Sequence, residues 1–165
     1  MEKLLHYVWM HKLLPSRSLA TTDGTEIEIL DPGQHNCNQG PDFLNARIRV
    51  DGMVWAGNVE IHSCSSDWNR HRHHTDPVFN TTILHVVEHA DAEIRTESGL
   101  AVPQVIITVP QEVKDNYEEL LRTTDYPRCH KFVPGIEPIK AHSWFDSLLA
   151  ERMEARSKRI LDILK

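Results

Sequence analysis

The spacing of apolar residues predicts a helix at the start of the chain and a β-hairpin after it. Over Met1–Leu14 the apolar side chains recur every three or four residues, and Pro15 follows where a helix could not continue. Two short apolar runs, Leu19–Thr22 and Thr25–Leu30, flank Asp23-Gly24, a dipeptide that favours a tight turn. We therefore expect an amphipathic first helix that packs on a hairpin.

A second hairpin and a buried strand are predicted further along. Leu44–Val50 alternates apolar and polar residues, and Met53–His62 does the same beyond the turn at Asp51-Gly52. After a polar, histidine-rich stretch, Thr81–Glu88 is a continuous β-branched and apolar run, typical of a strand that is covered on both faces. We expect this run to be the central strand of the sheet.

The last third of the chain predicts one more hairpin and then helices. Ala92–Thr96 and Val102–Val109 flank Ser98-Gly99, and Gln111–Arg122 has helical spacing. Ala141–Lys165 is strongly helical and ends on apolar residues without a stop signal. We therefore expect this final helix to contact a partner or a continuation of the chain.

The order of the elements predicts an α+β, or mixed α/β, fold. We expect a core domain over residues 1–110 and a helical extension over residues 111–165. The prolines between residues 123 and 138 indicate a linker between them. The pattern leaves the oligomeric state open.

Composition and charge narrow the functional classes. The chain is 40% hydrophobic and 25% charged, as in globular domains, and no window reaches the roughly 18 apolar residues of a membrane span. We therefore expect no membrane contact. Three scattered cysteines do not form a disulfide scaffold, so we expect a cytoplasmic location. A net charge of −6 argues against bulk electrostatic coating of nucleic acid but permits a local basic groove.

The carboxylates of Asp42 and Glu60 are predicted to lie at the open end of the second hairpin. If the two strands pair without interruption from the turn at Asp51-Gly52, Asp42 lies opposite Ile61, close to Glu60 and His62. Strict alternation of side chains would then place Asp42 on the opposite face of the sheet from Glu60 and His62. A β-bulge at Gly57 would turn Glu60 and His62 toward Asp42. The hairpin then predicts a divalent metal site. The alternative is that Glu60 and His62 form the solvent face of the hairpin.

A Pro-Asp at the start of one strand and Glu60-Ile61-His62 in the next resemble the core of the PD-(D/E)xK nuclease superfamily. The resemblance implies a restriction-endonuclease-like fold in which Asp42, Glu60 and the Ile61 carbonyl bind Mg²⁺. His62 stands in the place of the lysine that helps activate water. The implied function is divalent-metal-dependent hydrolysis of phosphodiester bonds in nucleic acid.

Histidine at this position changes the expected chemistry in one of two ways. A neutral imidazole can act as a general base near neutral pH, or it can be a ligand that favours Mn²⁺ or Zn²⁺ over Mg²⁺. The segments GPDFLNARIRVDG, WAGNVEIHSCSSDW and ILHVVEH are also similar to an uncharacterised bacterial family, a domain of unknown function, over most of the chain up to about Val109.

The loop after the hairpin is rich in histidine and arginine. We expect its cationic and imidazole side chains to contact substrate phosphate: Arg70, His71, Arg72 and His73. A second interpretation is a Zn²⁺ hydrolase centred on His71, His73 and Asp76. A third is a structural loop packed around Trp68.

Other residues carry weaker signals. His85, inside the predicted buried strand, is expected to be a core histidine, whereas Asn36, Cys37 and Cys64 could assist a site for a soft metal. A non-catalytic module, binding nucleic acid or a protein on a degenerate nuclease fold, is the competing functional class.

Overall fold

The structure is a computed structural model that describes residues 2–14, 18–124 and 135–163. It combines helices with a mixed sheet, so the α+β class is as predicted. The chain divides into two compact units, Met1–Tyr117 and Glu118–Lys165.

The first unit contains a sheet of seven strands within the described residues. Its order is β1-β2-β4-β5-β6-β7, with the short β3 also paired to β4. Neighbours from β1 to β5 are antiparallel, whereas β5, β6 and β7 run parallel to one another. The strands are β1 (Ser18–Ala20), β2 (Glu26–Asp31), β3 (Gln34–His35), β4 (Phe43–Val50), β5 (Met53–Cys64), β6 (Thr82–His89) and β7 (Gln104–Ile106).

Helix α1 spans Glu2–Met10 and covers the sheet with one apolar face, as its spacing predicts. The side chains on this face are buried: Leu4, Leu5, Val8 and Trp9. The Trp9 indole N–H donates to the Pro32 carbonyl at 3.0 Å, which satisfies its polar atom. The same core includes Phe43 and Val59, the residues that flank the open end of the β4–β5 hairpin.

The two edges of the sheet approach each other. Thr21 forms an antiparallel bridge with Val105, and the Thr22 N–H donates to the Gln104 carbonyl at 2.8 Å. The predicted hairpin around Ser98-Gly99 is reduced to a single bridge pair, because β7 pairs parallel with β6 instead. Strand β6 therefore lies between two neighbours and is buried along most of its length, as expected of a central strand.

A β-bulge lies in β4, not at Gly57 as the sequence pattern suggests. Ala46 pairs with Gly57, but Phe43 pairs with Val59, so β4 holds the extra residue. Asn45 lies in this bulge with a φ of 57°. This value is in the left-handed region, which asparagine adopts more readily than most residues. A bulge therefore brings the side chains of Asp42 and Glu60 to the same face, as predicted, but it lies in β4 and not at Gly57 in β5.

Gly57 has a different role in the sheet. A Cβ at this position would lie 2.7 Å from the Thr81 carbonyl oxygen and in collision with the Ile83 side chain. Glycine is therefore required because the start of β6 approaches the β5 backbone closely.

The crossover from β5 to β6 carries the histidine-rich segment. It consists of helix α2 (Asp67–Arg70) and two 3-10 turns, His73–Thr75 and Pro77–Thr81. A small second core anchors it: Trp68, Phe79, Ile94 and Val102. The Trp68 indole N–H donates to the Arg95 carbonyl at 2.9 Å, so packing around Trp68 holds this loop in place.

Two helices follow the sheet. Helix α3 spans Gln111–Arg122, as predicted, and α4 spans Pro138–Ile163, starting before the expected Ala141. The centre of the predicted linker, residues 125–134 with Cys129, lies outside the described residues. Among the described helices, none combines the length and the apolar character needed to cross a membrane.

Substitutions of Asn45 should separate the backbone requirement of the bulge from its side chain. We expect Asn45→Val to lower the free energy of unfolding by about 1–2 kcal/mol, because a β-branched residue is disfavoured at positive φ. Asn45→Gly should retain most of the stability, since glycine adopts this conformation readily. Urea denaturation of the two variants measures the difference, and equal values would contradict this account of the bulge.

Candidate metal centre

The bulge brings the two predicted carboxylates together. Continuing the Phe43–Val59 register places Asp42 beside Glu60 instead of opposite Ile61. The Asp42 N–H donates to Glu60 Oε2 at 3.0 Å, and the Ile61 N–H donates to Asp42 Oδ2 at 3.0 Å. Each carboxylate thus accepts a backbone N–H from the other side of the hairpin.

Glu60 and His62 are buried, which overturns the interpretation of a solvent-exposed face. Their exposed fractions are 4% and 2%, because β6 and the crossover cover this end of β5. Burial raises the pKa of Glu60, and the nearby charge of Asp42 raises it further, against an opposing effect of His73. A buried carboxyl whose charged form is disfavoured can gain a cation as its partner.

Helix α1 adds a residue that the sequence pattern did not single out. His6 Nε2 lies 3.3 Å from Asp42 Oδ2. Burial lowers the pKa of His6, but the hydrogen bond and charge of Asp42 outweigh this effect and leave the pKa raised. The sequence offered no signal for this contact, because it depends on how α1 packs across the hairpin.

The third predicted residue, His62, lies in a chain of imidazoles. Its Nδ1 is 2.8 Å from His85 Nε2, and its Nε2 is 3.1 Å from His71 Nδ1. In each contact one ring nitrogen must carry a proton and the other must accept it. The tautomer of one ring therefore determines the tautomer of the next.

Glu60 connects the carboxylate pair to these rings. Its Oε1 lies 3.2 Å from His73 Nε2 and 3.5 Å from His62 Nε2. Burial, followed by the charges of neighbouring histidines, lowers the pKa of His62 to about 2, and burial lowers that of His85 to about 4. Both rings are therefore neutral at physiological pH, which is the form that binds metals.

The shape of the crossover explains why His71 and His73 converge. Arg72 between them has a φ of 65°, so the chain reverses after α2. The ring of His73 then packs on Phe79 with centroids 3.8 Å apart, while the adjacent His74 is exposed. Sequence spacing could not show this convergence, because it depends on one left-handed residue.

Within the described part of the chain, one group of three or more residues has the geometry to hold a metal ion. It consists of His62, His71 and His73, whose ligand nitrogens all lie within 4.8 Å of one another. Such nitrogen donors suit Zn²⁺ or Mn²⁺ better than Mg²⁺, which prefers oxygen ligands. The neighbouring Asp42–Glu60 pair, which lies outside this group, carries carboxylate oxygens.

Two of the residues predicted to bind phosphate lie at the rim of this group. Arg70 is exposed and forms an ion pair with Asp67 Oδ1 at 2.7 Å. Arg72 is also exposed, and no ion pair involving it occurs among residues 2–14, 18–124 and 135–163. Asp76 caps the following 3-10 turn by accepting the Val78 N–H at 2.9 Å, so its carboxylate has a structural partner.

The residues considered for a soft metal site have separate positions. Asn36 donates to the Gln39 and Pro41 carbonyls and so shapes the loop before Asp42. Cys37 is exposed and Cys64 half-buried, and neither belongs to the histidine group. His85 is a core histidine as expected, but its Nδ1 is buried without a hydrogen-bond partner.

Comparison with known proteins identifies a family and no further relative. The family model described as "Protein of unknown function (DUF2851)" matches residues 2–165, so the chain belongs to this family. No curated protein and no solved structure matches.

The reciprocal contact between Asp42 and Glu60 can be tested through stability. We expect Glu60→Leu to lower the free energy of unfolding by about 1–3 kcal/mol relative to Glu60→Gln, because leucine leaves the Asp42 N–H without its acceptor. Both variants remove the carboxylate charge, so their difference isolates the hydrogen bond. Urea denaturation of metal-stripped protein measures it, and identical midpoints and slopes would show that the bond contributes nothing.

Proposed function

We propose that this member of the DUF2851 family is a divalent-metal-dependent phosphodiester hydrolase that acts on nucleic acid. The observation that carries the proposal is the meeting of the Asp42 and Glu60 carboxylates at the end of one hairpin, beside neutral imidazoles. Oxygen donors from two strands, with nitrogen donors next to them, form a donor set that suits Mn²⁺ or Zn²⁺ and accepts Mg²⁺ at the carboxylates.

The order of elements supports a nuclease-like core. Helix α1 is followed by antiparallel β2, β4 and β5, and then by a crossover to the parallel β6. Asp42 directly precedes β4 and Glu60 lies in β5, which are the positions that the PD-(D/E)xK resemblance assigns to the metal-binding carboxylates. The restriction-endonuclease-like fold is therefore part of the proposal.

The residues of the hairpin define the roles in this hydrolysis. Asp42 and Glu60 hold the cation, together with the Ile61 carbonyl that the resemblance assigns to it. The backbone N–H of Ile61 orients the Asp42 carboxylate for this purpose. When bound, a divalent cation lowers the pKa of a coordinated water and neutralises charge on a phosphate.

His62 acts as a ligand or positioning residue in this scheme and not as the general base. Its two ring nitrogens contact His85 and His71, and its pKa of about 2 makes it a weak proton acceptor at neutral pH. The sequence allows His62 to be a general base or a metal ligand, and these contacts favour the metal ligand.

The rim of the site supplies positive charge for the substrate. Arg70 and Arg72 are exposed on the crossover that also carries His71 and His73. Guanidinium groups bind phosphate oxygens through paired hydrogen bonds, so these side chains suit a phosphodiester. In a protein of net charge −6, this local cluster would have to attract the substrate.

Cleavage assays on the full chain test the proposal. Metal-stripped protein would be supplied with Mg²⁺, Mn²⁺ or Zn²⁺ and incubated with single-stranded DNA, duplex DNA, RNA and bis(p-nitrophenyl) phosphate. We expect metal-dependent cleavage that falls more than about 100-fold in Asp42→Asn and Glu60→Gln, since these substitutions weaken an interaction that supplies several kcal/mol.

Asp31→Asn is the matched control for these variants. Asp31 is a half-exposed carboxylate on β2 of the same sheet, and the amide oxygen of asparagine can still accept the Gly33 N–H. Its cleavage rate should equal that of the unmodified chain. Absence of metal-dependent cleavage on all four substrates, or full activity in Glu60→Gln, would reject the hydrolase and favour a non-catalytic binding module.

A further inference from the structure

Three histidines beside β5 each offer a ring nitrogen to a metal: His62, His71 and His73. These nitrogens all lie within 4.8 Å of one another, and His62 Nε2 lies 3.1 Å from His71 Nδ1. Glu60 is outside this group, but its Oε1 lies 3.5 Å from His62 Nε2 and 3.2 Å from His73 Nε2.

Three of these separations are close to those of a tetrahedral zinc site. Zn²⁺ binds histidine nitrogen at about 2.0–2.1 Å and carboxylate oxygen at about 2.0–2.2 Å, so neighbouring ligands of a tetrahedron lie about 3.3–3.5 Å apart. The three contacts between named donor atoms differ from this range by a few tenths of an ångström at most.

One polar atom of the group has an incomplete hydrogen-bonding environment. His73 Nε2 is buried, and its 3.2 Å ion-pair contact with Glu60 Oε1 lacks the geometry of a hydrogen bond. A buried ring nitrogen without a well-formed hydrogen bond is unfavourable, because it has lost its contact with water. A cation between His73 and Glu60 would satisfy both groups.

His85 fixes the tautomer that metal binding by His62 requires. If the Nδ1–H of His62 donates to His85 Nε2, the lone pair on His62 Nε2 is available to a metal. A hydrogen bond from the second ring nitrogen of a ligand histidine is the usual support in metal sites. His85 is therefore a positioning residue.

We propose that His62, His71 and His73 bind a zinc ion that fastens the histidine-rich crossover to β5. This site differs from one centred on His71, His73 and Asp76, because Asp76 caps its own turn. It borders the carboxylate pair through Glu60, whose Oε2 contacts Asp42 while Oε1 contacts the rings. The inference goes beyond the proposed hydrolysis and would hold for a protein without that activity.

Zinc titration of the metal-stripped full chain tests this site. Isothermal calorimetry should show a Zn²⁺ site that is lost in His71→Ala, and the thermal midpoint should rise with added Zn²⁺, because a ligand that binds the folded state stabilises it. His71→Ala should weaken the affinity more than about 100-fold, since loss of a direct ligand exceeds the 10–100-fold effect of losing a supporting contact. His71 is exposed, so this variant should fold.

His74→Ala is the matched control, because His74 is an exposed histidine of the same loop that lies outside the metal group. Its zinc affinity should equal that of the unmodified chain. Co²⁺ offers an independent readout, since its visible absorption reports tetrahedral coordination and should disappear in His71→Ala. Absence of Zn²⁺ binding, or unchanged binding in His71→Ala, would overturn the proposal.

Asp42→Asn separates this site from the proposed hydrolase. It retains the backbone N–H that contacts Glu60, so zinc affinity should stay within about threefold while cleavage is lost. Zinc binding without any cleavage in the unmodified chain would reject the hydrolase alone. Cleavage with Mn²⁺ but no zinc binding would reject the zinc site alone.

Discussion

The buried carboxylate of Glu60 is the constraint on which the rest of the site depends. One of its oxygens accepts the Asp42 N–H and the other faces His62 and His73. Because a carboxylate is costly to bury without partners, the bulged hairpin supplies the Asp42 N–H and the crossover supplies His73. Helix α1 adds His6, which contacts the adjacent Asp42.

Neutral histidines complete the surroundings of that carboxylate. A cluster of imidazoles in a dry environment cannot hold several protons, because positive charges close together repel and are poorly solvated. Burial keeps His62 and His85 neutral, so their nitrogens remain available as hydrogen-bond acceptors or metal ligands. The same environment that makes His62 a weak base makes it a suitable ligand.

The proposed hydrolysis and the proposed zinc site use the two sides of Glu60. Asp42 lies half-buried on one side, accessible to a hard cation and a phosphate, whereas on the other side His62 is buried, His73 half-buried and His71 exposed. A zinc ion at the rings would hold the crossover, and with it Arg70 and Arg72, in place. Glu60 would then lie between a zinc ion that holds the crossover and a cation that supports hydrolysis.

The sequence by itself determined helix α1, strands β2, β4, β5 and β6, and the pairing of β4 with β5, because alternation of apolar residues and the turn at Asp51-Gly52 are local signals. It also indicated that Asp42 and Glu60 would meet. It did not indicate β3 or the parallel pairing of β7 with β6. The tertiary structure alone decided that Asn45 carries the bulge and that His71, His73 and His85 gather around His62. These features arise from a left-handed residue, a parallel crossover and packing on Trp68, which join residues distant in sequence and leave no periodic pattern.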